Sequence, residues 1–221
     1  MKKEFFLLFF VFLGGIFFAE AKAGDIYYSD GTSSYKILKK KNPAGIVLSV
    51  KNGKAEKILS LTESSEYLPF AKQESKGYFS LLETSRSDGN ENFGALLNVD
   101  LNAAENLQQE YPAFAWCKSC RDGGFDDWYL PAVEEMILYY RNFSAVEKSL
   151  SALKKSKFSA LVNLPQEFDP EWAARSIWMK TSTQSPDITI SVYEVNVRKG
   201  KLEDHHNKAR GAVVRAVRKV D

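Results

Sequence analysis

Cysteine and histidine are scarce in this chain of 221 residues, with two of each. Two histidines side by side, His205-His206, do not make a spaced ligand set, and adjacent side chains seldom grip one metal together. With so little histidine and no Gly-x-Ser-x-Gly elbow, a nucleophile–base pair is hard to assemble. Charge excess is also missing. Lys+Arg number 30 against Asp+Glu 28, which speaks against nucleic acid as the main partner. Beyond the first residues no run is long or apolar enough for a membrane helix. No internal repeat and no low-complexity tract appears.

The chain does have a leader pattern. Met1-Lys2-Lys3-Glu4 precedes an almost unbroken apolar stretch from Phe5 to Ala19, and Ala21-Lys22-Ala23 follows. A charged start, a short apolar core and small residues at the two positions read by a signal peptidase predict an exported protein with residues 1–23 removed. Ala19 is the alternative cut, and an uncleaved N-terminal anchor is the alternative to removal. The remainder, about 200 residues, suits one domain. An aromatic content of 13% is enough for a proper core.

Local signals predict an α+β chain. Gly45 to Val50 and Lys57 to Leu61 flank Asn52-Gly53, the strongest short-range hairpin signal. Lys39-Lys40-Lys41-Asn42-Pro43 is a solvated turn, and Ser87-Asp88-Gly89-Asn90 is another. Asn102-Ala103-Ala104-Glu105 resembles a helix cap, with Ala103, Leu107, Tyr111 and Phe114 at helical spacing until Pro112 kinks or ends the run. A second helix opens at Pro131 with Val133, Met136, Ile137 and Tyr140 as its buried stripe. A third starts from a Ser144-x-x-Glu147 capping box and buries Val146, Leu150 and Leu153. Ile188 to Val197 reads as a strand covered on both faces. A turn at Lys199-Gly200 and a polar loop containing His205-His206 follow. Ala212 to Arg218 closes the sheet.

The most informative stretch is Gly123-Gly124-Phe125-Asp126-Asp127-Trp128-Tyr129-Leu130-Pro131, running into Glu134-Glu135. It reads as a glycine turn, a short aromatic strand and a proline-opened helix. With Asp88-Gly89-Asn90, Ser176-Ile177-Trp178, Thr181-Ser182-Thr183 and Val214-Arg215-Ala216-Val217-Arg218, it resembles the bacterial DUF1566 family, also called the Lcl C-terminal or Fibrobacter major paralogous domain group. Gly24 to Gly31 and Gly45-Ile46-Val47 resemble an N-terminal pattern of the same proteins. Met179-Lys180 depart from the family's usual pattern by separating Trp178 from the Ser/Thr cluster.

The resemblance implies a C-type-lectin-like fold, similar to the formylglycine-generating group. A DUF1566-like domain then spans 76–221, and a β-hairpin segment at 24–75 packs on it. It also implies a secreted, periplasmic or surface-exposed protein, with adhesion or carbohydrate binding in several relatives. Its fold-defining positions are Gly123, Gly124, Asp127, Trp128, Leu130, Pro131, Arg215 and Arg218.

Cys117 and Cys120 form a Cys-x-x-Cys at the tail of a predicted helix. That end of the helix dipole disfavours a thiolate and no βαβ pattern surrounds the pair, so a structural disulfide is favoured over thiol exchange. The oxidase of the formylglycine group uses a cysteine pair near its C-terminal part, and this chain has no cysteine after Cys120. Asp126 and Asp127 cap turns, or with loop carbonyls hold Ca²⁺. Trp128 and Trp178 are expected in the core. If Trp178, Trp172 or Tyr193 were instead exposed, they could stack on sugar rings. Ser182, Thr183, His205 and His206 complete the expected ligand-binding surface, in loops after Trp178 and around His205. The reading is an exported, non-catalytic binding or adhesion module whose partner is a surface glycan or protein. A thiol–disulfide oxidoreductase and a structural envelope protein are the alternatives.

Overall fold

The computed structural model describes residues 20–163 and 178–220. The expected leader lies largely outside them, as do Trp172, Ser176 and Ile177. Of the leader's last residues, Ala21 is nearly buried and donates its N–H to Gly53 at 2.9 Å.

The first strands are β1 (Ile26–Tyr28), β2 (Ser33–Ser34), β3 (Pro43–Lys51) and β4 (Lys54–Leu59). The β3–β4 turn is Asn52-Gly53, with φ of 52° and 75°. Two successive positive φ values are what a two-residue type I′ hairpin demands, and Asn-Gly accepts them at least cost. After β5 (Leu68–Pro69) come α1 (Lys76–Phe79), α2 (Gly89–Val99), α3 (Leu107–Glu110), α4 (Pro112–Ser119), α5 (Val133–Arg141) and α6 (Phe143–Lys154). The chain returns to β6 (Trp178–Gln184), β7 (Ser191–Asn196), β8 (Lys201–Asn207), β9 (Gly211–Ala212) and β10 (Val217–Lys219). One five-stranded sheet runs β10-β4-β3-β1-β2, so the end of the chain pairs with its N-terminal hairpin. A three-stranded sheet runs β6-β7-β8, and β5 pairs with β9. The class is α+β, as expected.

Both faces of the central strands are buried. Ile26, Tyr28, Ile46, Leu48 and Leu59 face one apolar cluster with Val133, Met136 and Tyr139 of α5 and Val146, Leu150 and Leu153 of α6. Tyr27, Val47 and Ile58 face a second cluster with Phe70, Tyr111, Phe114 and Trp128. The period of two along each strand assigns neighbouring residues to opposite cores. The Phe70 and Phe114 rings meet edge to face at 5.0 Å.

Several sequence expectations shift here. Helix α3 ends at Glu110 just before Pro112, as expected, and Pro112 also opens α4, where its missing N–H is no loss. Asn102 to Glu105 form turns before α3. The Asp88-Gly89 turn is the N-cap of α2, with the Asp88 carboxylate accepting from Asn90 N at 2.9 Å. Helix α6 starts at Phe143 with Asn142 as its N-cap, so the expected cap Ser144 lies inside the helix. In α5 the buried tyrosine is Tyr139, while Tyr140 is 40% exposed. The expected polar loop after Gly200 is strand β8.

The Gly-Gly stretch forms a tight turn with Gly123 at φ 68°. A Cβ on Gly123 would come within 2.2 Å of Ala44 Cβ, so only glycine permits this approach. Trp128 is fully buried. Tyr129 bridges Val217, which docks the stretch beside β10. Arg218 lies over the Phe125 ring at 3.9 Å and pairs with Asp127. Arg215 is buried against Glu63 at 2.7 Å and donates to Ser60 O at 3.0 Å.

Glu135 joins these parts. It is 1% exposed. Its carboxylate accepts from Ala132 N at 2.8 Å, Gly89 N at 3.1 Å and the Tyr129 hydroxyl at 2.9 Å, and it pairs with Lys57 at 2.5 Å. At Gly89 a Cβ would sit 2.2 Å from Leu130 O. Removing the carboxylate leaves buried donors without this acceptor and Lys57 without its counter-charge, with Ser87 O at 2.7 Å as its remaining partner. Glu135→Ala is therefore expected to cost about 3 kcal/mol in urea unfolding, with Glu135→Gln costing less; an alanine variant within about 0.5 kcal/mol of the parent, the range of a plain surface change, would refute this role.

Candidate functional site

Strand β6 hangs on the start of α5. Ser182 N donates to Pro131 O at 2.8 Å, and Val133 N donates to Thr183 Oγ1 at 3.0 Å. Ser182 Oγ also accepts from Asn92 Nδ2 at 2.8 Å. Both side chains are buried. Ser182 and Thr183 therefore tie strand to helices and do not face a ligand, contrary to the sequence expectation. Tyr193 is also mostly buried, with the Arg86 guanidinium 4.8 Å above its ring.

A polar row runs across the three-stranded sheet. Lys180 of β6 stands opposite Glu194 of β7, and Glu194 stands opposite Glu203 of β8. A register shift follows. Val192 pairs with His206, so three steps on β8 match two on β7. This bulge brings His206 to the same face as Glu203, which strict alternation would forbid. Trp178, two residues before Lys180, shares that face.

Lys180 and Glu194 are both fully buried and 2.5 Å apart. Burial pulls the Lys180 amine below its usual range, against the pull of Glu194. The second Glu194 oxygen, Oε2, has no hydrogen-bond partner among the described residues. It lies 3.6 Å from His206 Nδ1 and 3.7 Å from Arg210 Nη1. Arg210 Nη1 contacts His206 Nδ1 directly. His206 Nε2 is 2.9 Å from Glu203, without hydrogen-bond alignment. Burial lowers the His206 pKa, and Arg210 and Lys180 push the same way. At neutral pH the ring is uncharged, and Nδ1 accepts from Arg210. Glu203 is held below the usual carboxylate range chiefly by Lys201 at 2.7 Å.

Beside this row lies a depression of about 500 Å³, lined by Tyr67, Trp178, Arg210, Gly211 and Ala212. Trp178 is half-buried, its ring 5.1 Å from that of His206. The structure thus brings Trp178 and His206 together, with His205 stacked 5.3 Å beyond and more exposed. Trp178 was expected in the core but opens a strand at the rim. The histidines lie on a strand, and His206 is largely buried instead of sitting in an open loop. Sequence reasoning missed Arg210, Lys180 and Glu194. The available signal was a lysine and a glutamate set inside apolar, β-branched runs, since buried charges are retained only when paired.

The remaining candidates lie elsewhere. Cys117 and Cys120 are free, buried thiols and not the expected disulfide. Cys117 faces the second core from the last turn of α4, and Cys120 is its C-cap, with N–H to Cys117 O at 3.1 Å. Both behave as small apolar side chains. Burial pushes Cys117 well up and Cys120 up to about 12. Asp127 pairs with Arg218, and among the described residues no three His, Cys, Asp or Glu side chains gather as a metal site. Also among the described residues, no helix is long and apolar enough to cross a membrane.

No family model and no curated protein matches the chain. Among solved structures, the chain is similar to a fimbrial protein from Bacteroides ovatus, at 15% identity and TM-score 0.58. The likeness covers 89% of this chain and 48% of that one, so this chain spans about half the neighbour's length. At that identity the likeness concerns the fold alone.

The thiol geometry has a measurable consequence. In the reduced, folded protein at pH 8, alkylation by iodoacetamide is expected to run on the order of 10³-fold slower than that of free cysteine. Unfolding in guanidinium should remove the protection. A fast-reacting thiol in the folded state would revive the redox reading.

Proposed function

We propose that this chain is an exported, non-catalytic binding module of the cell surface, built on a C-type-lectin-like scaffold of the DUF1566 kind, and that it recognises carbohydrate. The observation that carries this reading is the depression that half-buried Trp178 and partly exposed Arg210 both line. Carbohydrate sites pair an aromatic plane, which stacks on sugar C–H faces, with a few fixed polar groups. The fold likeness to a fimbrial protein supports a surface role, as does the leader pattern. The alternative of thiol–disulfide exchange draws no support from two thiols buried at a helix's C-terminal end.

A glycan array on the exported chain is expected to give a defined set of bound sugars. Trp178→Ala should lower affinity for them about tenfold or more, roughly the worth of one aromatic contact, with thermal unfolding nearly unchanged. A blank array, or full binding by Trp178→Ala, would count against the reading.

A further inference from the structure

The charges around the Trp178 depression are unevenly matched. Glu194 has Lys180 at 2.5 Å, and Glu203 has Lys201 at 2.7 Å. Asp204 is more than half exposed, 3.8 Å from the His205 ring. Among the described residues Arg210 only shares a carboxylate: Glu194, already paired with Lys180, has its Oε2 3.7 Å away, within ion-pair range but beyond hydrogen-bond reach, and Arg210 directly contacts the ring nitrogen of His206. Arg210 is also the charged residue lining the depression, and its side chain is 45% exposed. A guanidinium presents a planar fork that matches a carboxylate in two-point contact. We infer that the depression takes sugars bearing a carboxylate, with Arg210 as their anchor and Trp178 as the stacking wall. This rests on the carbohydrate reading above and narrows it to one ligand class.

The same geometry links the site to pH. Neutral His206 accepts from Arg210 at Nδ1, which spends one arm of the fork. Once protonated, Nδ1 carries a hydrogen and can no longer accept. It then has an acceptor waiting in Glu194 Oε2, the buried oxygen 3.6 Å away that lacks a partner among the described residues. The new imidazolium repels Arg210 toward the depression and adds a second positive charge behind it. The groups facing His206 are Lys180 from β6, Glu194 from β7, Glu203 and His205 from β8, and Arg210 from the turn that follows. Because burial holds His206 below its ordinary value near 6.5, the change comes on the acid side of that value. An anion bound at Arg210 favours the protonated ring, so acid strengthens binding.

Matched probes separate the claims: oligogalacturonates against their methyl esters, and sialyllactose against lactose. Both acids stay ionised down to pH 5. Affinity is measured by calorimetry on the exported chain from pH 7.5 to 5. The expected result is at least tenfold tighter binding of an acid than of its uncharged match, rising as pH falls. Arg210→Gln should erase the preference, bringing the acid's affinity down to that of its uncharged match, and His206→Gln should flatten the pH dependence. Thermal unfolding of each variant checks that it is folded. Equal affinity for acid and ester, or a preference that survives Arg210→Gln, overturns the ligand class and leaves the carbohydrate reading standing. A pH dependence unchanged in His206→Gln overturns the histidine's role. Absence of binding to every sugar overturns both readings together.

Discussion

The carboxylate of Glu135 is the contact on which the arrangement turns. It fills the space where three segments distant in sequence converge: the cap of α2 at Gly89, the start of α5 at Ala132 and strand β4 at Lys57. The Gly89 and Ala132 N–H groups are buried donors that the carboxylate satisfies at once, and for Lys57, which also donates to Ser87 O at 2.7 Å, it supplies the counter-charge. Its effect reaches the candidate site through the backbone. The start of α5, fixed by Glu135, is where Ser182 and Thr183 fasten β6, and β6 begins at Trp178.

Two kinds of order were unequally legible in the sequence. Where one rule dominates locally, the sequence reads correctly. Asn52-Gly53 announces its turn because few other pairs accept two positive φ values. The stripe of Val146, Leu150 and Leu153 announces α6 because nothing competes with its period. Where tertiary context decides, the reading fails. Lys201 to Asn207 look like a loop because their side chains are polar, yet they form an outer strand whose neighbour β7 supplies the apolar burial. Pro112 reads in sequence only as a stop, yet with Tyr111 as the joint it both ends α3 and starts α4.

The candidate site was half visible for a similar reason. Indole and imidazole side chains are few and distinctive, so Trp178 and His206 stand out in the sequence. Their union was not readable, because it depends on an unpaired residue in β8 that rotates His206 onto the face of Glu203. Ser182 and Thr183 failed as ligand groups because hydroxyls also serve as fasteners, and here helix amide groups claim both.

The sharing of one sheet by the first and last strands has a mechanical corollary. Gly24 N is bonded to Val47 O and Val220 N to Glu56 O, both on the β3–β4 hairpin, so the two ends of the folded body leave beside one hairpin. Tension applied between them would pull on neighbouring points and peel β10 away from β4 bond by bond, instead of shearing many bonds together. A body roped in this way hangs to the side of a taut tether and gives way first at its closing strand, while the strands bearing Lys180 and Glu194 stay outside the line of pull.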